Sequence, residues 1–190
     1  MKKDLMEIKI VDIIKENIHK IPVPCRECVY WEAPQEFEKL KTLDTKEVSL
    51  IATQRKQKWF ITTLKTFGSC GKIVFANDKQ IGYAQYAPSN LLPQVQSYQS
   101  KRIGKIEDGT VFLSCLYINE KQFRGKGIGK LLLENIMTEL KNRGFKAIET
   151  FARKETSNNP SGPLEFYSKK GFKQKETINS EYILVRLEFQ

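Results

Sequence analysis

The residues of this chain best suited to chemistry by type and spacing are Gln122-Phe123-Arg124-Gly125-Lys126-Gly127-Ile128-Gly129-Lys130-Leu131-Leu132. They follow an apolar run, Val111 to Ile118, and lead into a helical pattern. Glycines there let the backbone approach a ligand, and the first N–H groups of the following helix have no carbonyl partner within it. With the helix dipole, those donors suit an anion of the pyrophosphate kind, and Arg124, Lys126 and Lys130 add positive charge. Two familiar phosphate loops do not fit. A Walker loop needs glycine where Arg124 stands and Ser or Thr where Leu131 stands. A Rossmann fingerprint needs glycine at Lys130 and a leading βαβ unit. A turn that only packs strand against helix requires fewer glycines and bases than this.

Cys25 and Cys28 have the spacing of half a zinc site or of a redox pair. A structural zinc site needs four ligands, the remaining candidates are His19, Cys70 and Cys115, and there is no second Cys-x-x-Cys. A redox pair belongs at a helix start after a strand, which the flanking residues do not offer. Two packed thiols and no metal are the expectation. The single His19 removes most His-based triads and multi-His sites.

Composition narrows the choice further. Hydrophobic residues at 40% and charged residues at 28% are ordinary for one folded domain, which is expected to span residues 1–190. No apolar run is long enough for a membrane span. Met1-Lys2-Lys3-Asp4-Leu5-Met6-Glu7 meets acids before any apolar core, unlike a secretory signal, so a cytoplasmic location is expected. The net charge of +10 attracts anions without saying which. Lys and Arg are scattered and no aromatic residues interleave a basic strip, so nucleic acid is not the expected partner.

Around the glycine run, periodicity sets the elements. Met6 to Val11 reads as a strand, and Pro34 to Lys65 as one or two helices with a break near Leu43-Asp44-Thr45, Val48, Ile51, Ala52 and Trp59 marking the apolar face. Lys72–Ala76 and Gln80–Tyr86 flank Asn77-Asp78-Lys79 as a hairpin, and a polar loop with Pro88 and Pro93 follows. Val111 to Ile118 is apolar enough for a central strand. Ile128 to Asn142 is an amphipathic helix with Leu131, Leu132, Ile136, Met137 and Leu140 at helical spacing, and Gly144 ends it. Lys146–Phe151 is a strand, Pro163–Lys170 a short helix, and Phe172–Thr177 and Tyr182–Phe189 are closing strands. This order predicts an α/β fold with a mixed sheet.

Arg124-Gly125-Lys126-Gly127-Ile128-Gly129 resembles the Arg/Gln-x-x-Gly-x-Gly/Ala motif of the GNAT superfamily of N-acetyltransferases. The resemblance extends from about Gly71 to Phe172, including the Tyr-x-x-x-Gly-Phe ending at Tyr167 to Phe172. It implies a mixed, mostly antiparallel central sheet of about seven strands flanked by helices, and transfer of an acetyl group from acetyl-CoA to a primary amine. By the same resemblance, the N–H groups from Gly125 through Ile128 and Gly129 to Lys130 hold the pyrophosphate. Leu116, Tyr117 and Ile118 pair with the pantetheine arm, and an Asn at the next helix start, here Asn159, contacts it. Tyr167 matches the family's proton donor, with a core aromatic as the plainer reading. No carboxylate lies on the 111–118 strand, so Glu149 is the candidate base, with Glu107, Asp108 or a water as alternatives. The early loop of the fold covers the acceptor, which puts Tyr30 and Trp31 in its pocket. Members are often dimers, so a homodimer is also implied. Two other readings stay open on the same fold: a nucleic-acid or ribosome binder, and a non-catalytic acyl-CoA sensor.

Overall fold

A two-residue turn, Asn77-Asp78, joins strands β2 (Gly71–Ala76) and β3 (Lys79–Ala87). Its first residue is left-handed (φ 52°), a conformation asparagine tolerates and one that matches the twist of a tight hairpin. The computed structural model describes residues 6–40, 45–99, 103–154 and 162–190. The other strands are β1 (Ile8–Asp12), β4 (Thr110–Ile118), β5 (Ala147–Arg153), β6 (Lys173–Thr177) and β7 (Tyr182–Glu188). They form one seven-stranded sheet in the order β1-β2-β3-β4-β5-β7-β6. Every neighbouring pair is antiparallel except β4 and β5. The mixed sheet expected from the element order, and the mostly antiparallel seven-stranded one implied by the resemblance, is the one observed.

Helices α1 (Pro34–Leu40), α2 (Thr45–Thr66), α3 (Pro93–Gln99), α4 (Ile128–Asn142) and α5 (Leu164–Ser168) flank the sheet. On one face, Ile128, Leu132, Leu133, Ile136 and Leu140 of α4 and Tyr167 of α5 share a core with Val111, Leu113, Leu116 and Ile148 of the sheet. Each such apolar side chain contributes roughly 1.5–3 kcal/mol by leaving water. Leu131 belongs to the expected stripe but points outward, 48% exposed, while Leu133 takes the buried place. On the other face, Phe60 of α2, Val95 of α3 and the segment around Ile13, Ile18, Ile21 and Trp31 pack on Ile73, Tyr83, Phe112 and Phe151. The polar loop expected around Pro93 contains helix α3, with Pro93 in the first turn where a missing N–H costs nothing. Of the expected break near Leu43-Asp44-Thr45, Thr45 opens α2 and the other two residues lie outside the described residues.

Helix α2 buries Ala52, Lys56, Phe60 and Thr63, a stripe with a cation in its middle. Lys56 is 1% exposed, paired with the buried Glu32 and hydrogen-bonded to Gln85 Oε1 at 3.0 Å. Tyr83 donates to the same Gln85 oxygen. Burial opposes the ammonium, but the charge of Glu32 and the neighbouring groups outweigh it, and the Lys56 pKa is raised. The pair ties α2 to the segment that carries Tyr30 and Trp31. Removing one partner strands the other charge in the core, so Lys56→Met should lower stability to urea by about 3–5 kcal/mol. Adding Glu32→Met should restore most of it, and a single variant as stable as the native chain would show that the pair does not hold the segment.

Candidate active site

Strands β4 and β5 are hydrogen-bonded only at their beginnings, through Thr110↔Ala147, Val111↔Ile148 and Phe112↔Glu149. Beyond Phe112 they diverge. At the point of divergence Thr150 Oγ1 donates to the Leu113 carbonyl at 2.8 Å, supplying from a side chain the bond that the lost ladder would have made. One residue further, β4 steps out of register with β3, Gln85 facing Cys115 and Tyr86 facing Leu113. Ser114 is the extra residue of this bulge, its hydroxyl donating to the Gln85 carbonyl at 3.0 Å. The bulge turns Cys115 toward the α2 face while Leu113 and Leu116 both pack on the α4 face.

A cavity of about 370 Å³ lies on the α4 side of the opened strands. Leu116, Tyr117 and Ile118 form one wall, Phe123 to Gly125 with Gly127, Gly129 and Lys130 the second, and Gly162, Pro163 and Phe166 the third. Gly127 caps α4 in the left-handed region (φ 80°), without a side-chain cap bond, and Gly125 is also left-handed (φ 73°). A Cβ at either would meet no protein atom within 4 Å, so the space above both is open. The first intrahelical bond runs from Leu131 N–H to the Gly127 carbonyl at 3.0 Å. The N–H groups of Ile128, Gly129 and Lys130 therefore stand at the helix start with no carbonyl of the helix to reach. A strand edge, open glycine backbone and a helix N-terminus together fit a pantetheine arm and its pyrophosphate.

A second cavity, of about 400 Å³, opens where Ser114 and Cys115 of the bulge form its wall. Six rings surround it, from Tyr30, Trp31, Phe37, Tyr98, Phe151 and Tyr182, with Cys28 and Ile178 between them. Tyr30 meets Trp31 and Phe37 edge to face at 5.1 and 5.4 Å between centroids, and Tyr98 meets Phe151 at 4.9 Å. Gln94 Nε2 donates to the Tyr30 hydroxyl, and the Tyr30 and Tyr98 hydroxyls share a hydrogen bond, both at 2.9 Å. The two cavities thus flank one stretch of β4.

Comparison with known proteins agrees with this geometry. A family model described as the acetyltransferase (GNAT) family matches residues 27–172. The chain belongs to that family. It is an acyltransferase that uses acetyl-CoA. No curated relative matches the sequence. Among solved structures, PaiA N-acetyltransferase from Thermoplasma acidophilum, in complex with coenzyme A, has a TM-score of 0.60 at 18% identity. That match covers 97% of this chain and all (100%) of the other. An N-acetyltransferase from Staphylococcus aureus Mu50 has a TM-score of 0.57 at 19% identity, covering 96% and 98%. The ribosomal-protein-alanine N-acetyltransferase from Brucella melitensis has 0.58 at 14% identity, covering 95% and 99%. At these identities the likeness is one of fold.

Not every residue expected in this acetyltransferase's site is placed there. Leu116, Tyr117, Ile118, Arg124, Gly125, Gly127, Gly129 and Lys130 line the first cavity, and Tyr30 and Trp31 the second. Ile128 is buried in the α4 core, so only its backbone can face the cavity. Lys126 lies over the Phe123 ring at 5.8 Å. The Arg124 guanidinium donates to the Ile118 carbonyl at 2.8 Å and the Tyr117 hydroxyl at 2.9 Å, clamping the end of β4 to the loop. Asn159 lies outside the described residues. Glu149 requires a correction: it is fully buried where β4 and β5 are still paired, held by Arg186 at 2.7 Å and Lys175 at 2.9 Å. Neither cavity includes it, and its carboxylate is committed to two cations. Glu107 binds Arg186 at 2.9 Å and Asp108 precedes β4, both at the closed end of the strand pair. The spacing missed Phe37, Tyr98, Ile178 and Tyr182, which come from separate segments and carry no local signal, while Cys28 stands in the cavity wall and not in the metal or redox pair its spacing suggests. All four cysteines are free, and among the described residues no three His, Cys, Asp or Glu side chains gather as metal ligands.

Tyr167 sits at the apex of the divergence, 1% exposed, in hydrogen-bond contact with the Thr150 side chain and the Gly162 backbone. It stands one layer behind Gly162, which lines the first cavity. Burial pushes its hydroxyl up to about 12, so it keeps its proton throughout the neutral range. In the unfolded chain a tyrosine titrates near pH 10. Between roughly pH 10 and 12 the unfolded state has lost a proton that the folded state keeps, so stability complete below pH 10 falls as pH rises. Tyr167→Phe should remove one proton's share of that fall, about 1.4 kcal/mol per pH unit, in urea titrations across this range. Equal slopes for native and variant would contradict the burial assigned to Tyr167.

Proposed function

We propose that this acetyltransferase moves the acetyl group of acetyl-CoA directly to a primary amine held in the aromatic cavity. The observation that carries the reading is the pair of cavities on either side of β4 residues 114–118, one suited to a phosphorylated donor and the other to an acceptor. Acetyl-CoA brings the thioester. Leu116 to Ile118 offer strand edge to the pantetheine, and a backbone N–H there polarises the thioester carbonyl. The open N–H groups from Gly125 to Lys130 take the pyrophosphate. Direct attack, rather than an acyl-cysteine, is favoured by Cys115: burial holds its thiol well above the usual range, so it stays neutral in the cavity wall. Tyr167 is the proton donor for the departing sulfur. Among the described residues no helix is long and apolar enough to cross a membrane. A cytoplasmic location and a homodimer complete the reading.

Calorimetry with acetyl-CoA tests the donor half. A Cβ at Gly129 would stand 3.7 Å from Leu116 and 4.0 Å from Phe166, in ordinary contact, so a longer side chain there fills the first cavity without straining the helix. Gly129→Leu should weaken acetyl-CoA binding by about tenfold or more while the melting temperature holds. A native chain that binds no acetyl-CoA would end the reading. For the acid, Tyr167→Phe should lower kcat by about 100-fold or more with the KM for acetyl-CoA nearly unchanged. A variant as fast as the native enzyme would leave Tyr167 as a core ring.

A further inference from the structure

The acceptor cavity carries a chemistry of its own. Its walls are six rings, three of them tyrosines, with two thiol groups, an isoleucine and the Ser114 hydroxyl. Among the described residues no carboxylate, ammonium or guanidinium lines it. Behind that wall Lys56 and Glu32 neutralise each other, Lys56 acting electrostatically on the wall residues Cys28 and Cys115, while the Arg153 guanidinium lies over the Tyr182 ring at 5.7 Å and adds no negative charge. A cation bearing a second charge would find no counter-ion there and would lose its water. A flat apolar body would find edge-to-face partners on several sides, in a volume of the size that holds a small ligand.

The same walls bear on the proton that the amine must lose. An ammonium cannot attack a thioester. Glu149 and Glu107 are committed to Arg186 at the closed end of the strands, so the carboxylates expected from the sequence stand away from the aromatic cavity. An apolar cavity disfavours the charged form of whatever enters it, and so lowers the pKa of a bound amine.

Resting on the transferase reading above, we propose that the acceptor is a small primary amine on an aromatic or flat apolar body, with no second positive charge, admitted as its free base. Its nitrogen then forms the bond to the acetyl carbon as the carbon–sulfur bond breaks. Tyr167 gives its proton to sulfur, and the surplus proton on nitrogen returns through water to the tyrosine, so the amide and the free thiol form with no net proton consumed.

Binding is tested without turnover, using tryptophan emission of the native chain with 2-phenylethanol, a neutral ring that cannot be acetylated. The alcohol should change the emission saturably, and Trp31→Phe, which keeps a ring, should abolish the change. Spermidine should leave it unaffected. In the presence of acetyl-CoA, kcat/KM for phenethylamine should exceed that for spermidine or a short peptide amine by on the order of 100-fold. Phe37→Ala and Tyr98→Ala should each lower the phenethylamine value about tenfold with acetyl-CoA calorimetry unchanged. With the less basic 2,2-difluoro-2-phenylethylamine, the acid limb of kcat/KM should move down with the amine's own pKa. Saturable emission changes with spermidine alone, faster turnover of spermidine or peptide, or a limb at one pH for both amines would overturn the proposal. Absence of acetyl-CoA binding is a separate failure, of the transferase reading, and leaves the emission titration as the judge of the cavity.

Discussion

The rest of the site depends on β4 and β5 ceasing to pair after Phe112 and Glu149. A parallel pair inside a sheet normally continues, since each abandoned N–H and carbonyl must find another partner. Here the loss is confined by substitutes. Thr150 reaches across to the Leu113 carbonyl, Ser114 absorbs one residue in a bulge and bonds the Gln85 carbonyl, and Tyr167 closes the apex beneath them. What remains without a neighbouring strand is the β4 edge at 116–118, its Ile118 carbonyl held by Arg124, and this is the edge a donor arm can lie along. The bulge also decides which side chain faces which cavity. Without the extra residue, Cys115 and Leu116 would exchange faces, and apolar walls would be traded between donor and acceptor.

The opened strands require rigid supports on both sides. On the donor side the support is hydrophobic, with α4 anchored by five buried aliphatic residues and its N-terminus left free. On the acceptor side it includes the buried Lys56–Glu32 pair. An ion pair inside a core adds little net stability, because desolvation opposes the Coulomb gain. It is geometrically demanding, however. Glu32 follows Trp31, and Lys56 also bonds Gln85, the residue opposite Cys115. One charged contact thereby fixes the aromatic segment relative to the bulge, a constraint apolar packing alone would impose less strictly.

How far the sequence reveals this depends on whether the signal is local. The glycine run and the span of α4 from Ile128 to Asn142 are legible because motif and periodicity lie in contiguous residues. Helix α3 is not, because Pro93-Gln94-Val95-Gln96-Ser97-Tyr98-Gln99 buries only Val95 and shows no helical stripe. Glu149 misleads for a different reason: a carboxylate on the strand beside the cleft reads as a base, and only the register places it at the closed end with Arg186. Tyr30 and Trp31 follow from the early loop's role in the family. Their companions Phe37, Tyr98, Ile178 and Tyr182 meet them only after folding.

The two cavities differ in polarity in a way that suits the direction of transfer. The donor side presents a helix N-terminus, worth about half a positive charge, together with Lys130 beside open glycine backbone. In the proposed transfer, negative charge developing as the carbon–sulfur bond weakens would be stabilised on that side, with the buried Tyr167 hydroxyl keeping its proton near the apex. The acceptor side is ringed by aromatic faces and offers an amine no reason to remain charged. On the proposed reading, charge would shift toward the positive side of β4 as the acetyl group moves the other way. The net charge of +10 supports this only through where it acts. Arg186 and Lys175 are spent on Glu149, and Lys56 on Glu32. The field that the reaction can use comes from the loop and helix start, where the backbone, not the count of lysines, sets its direction.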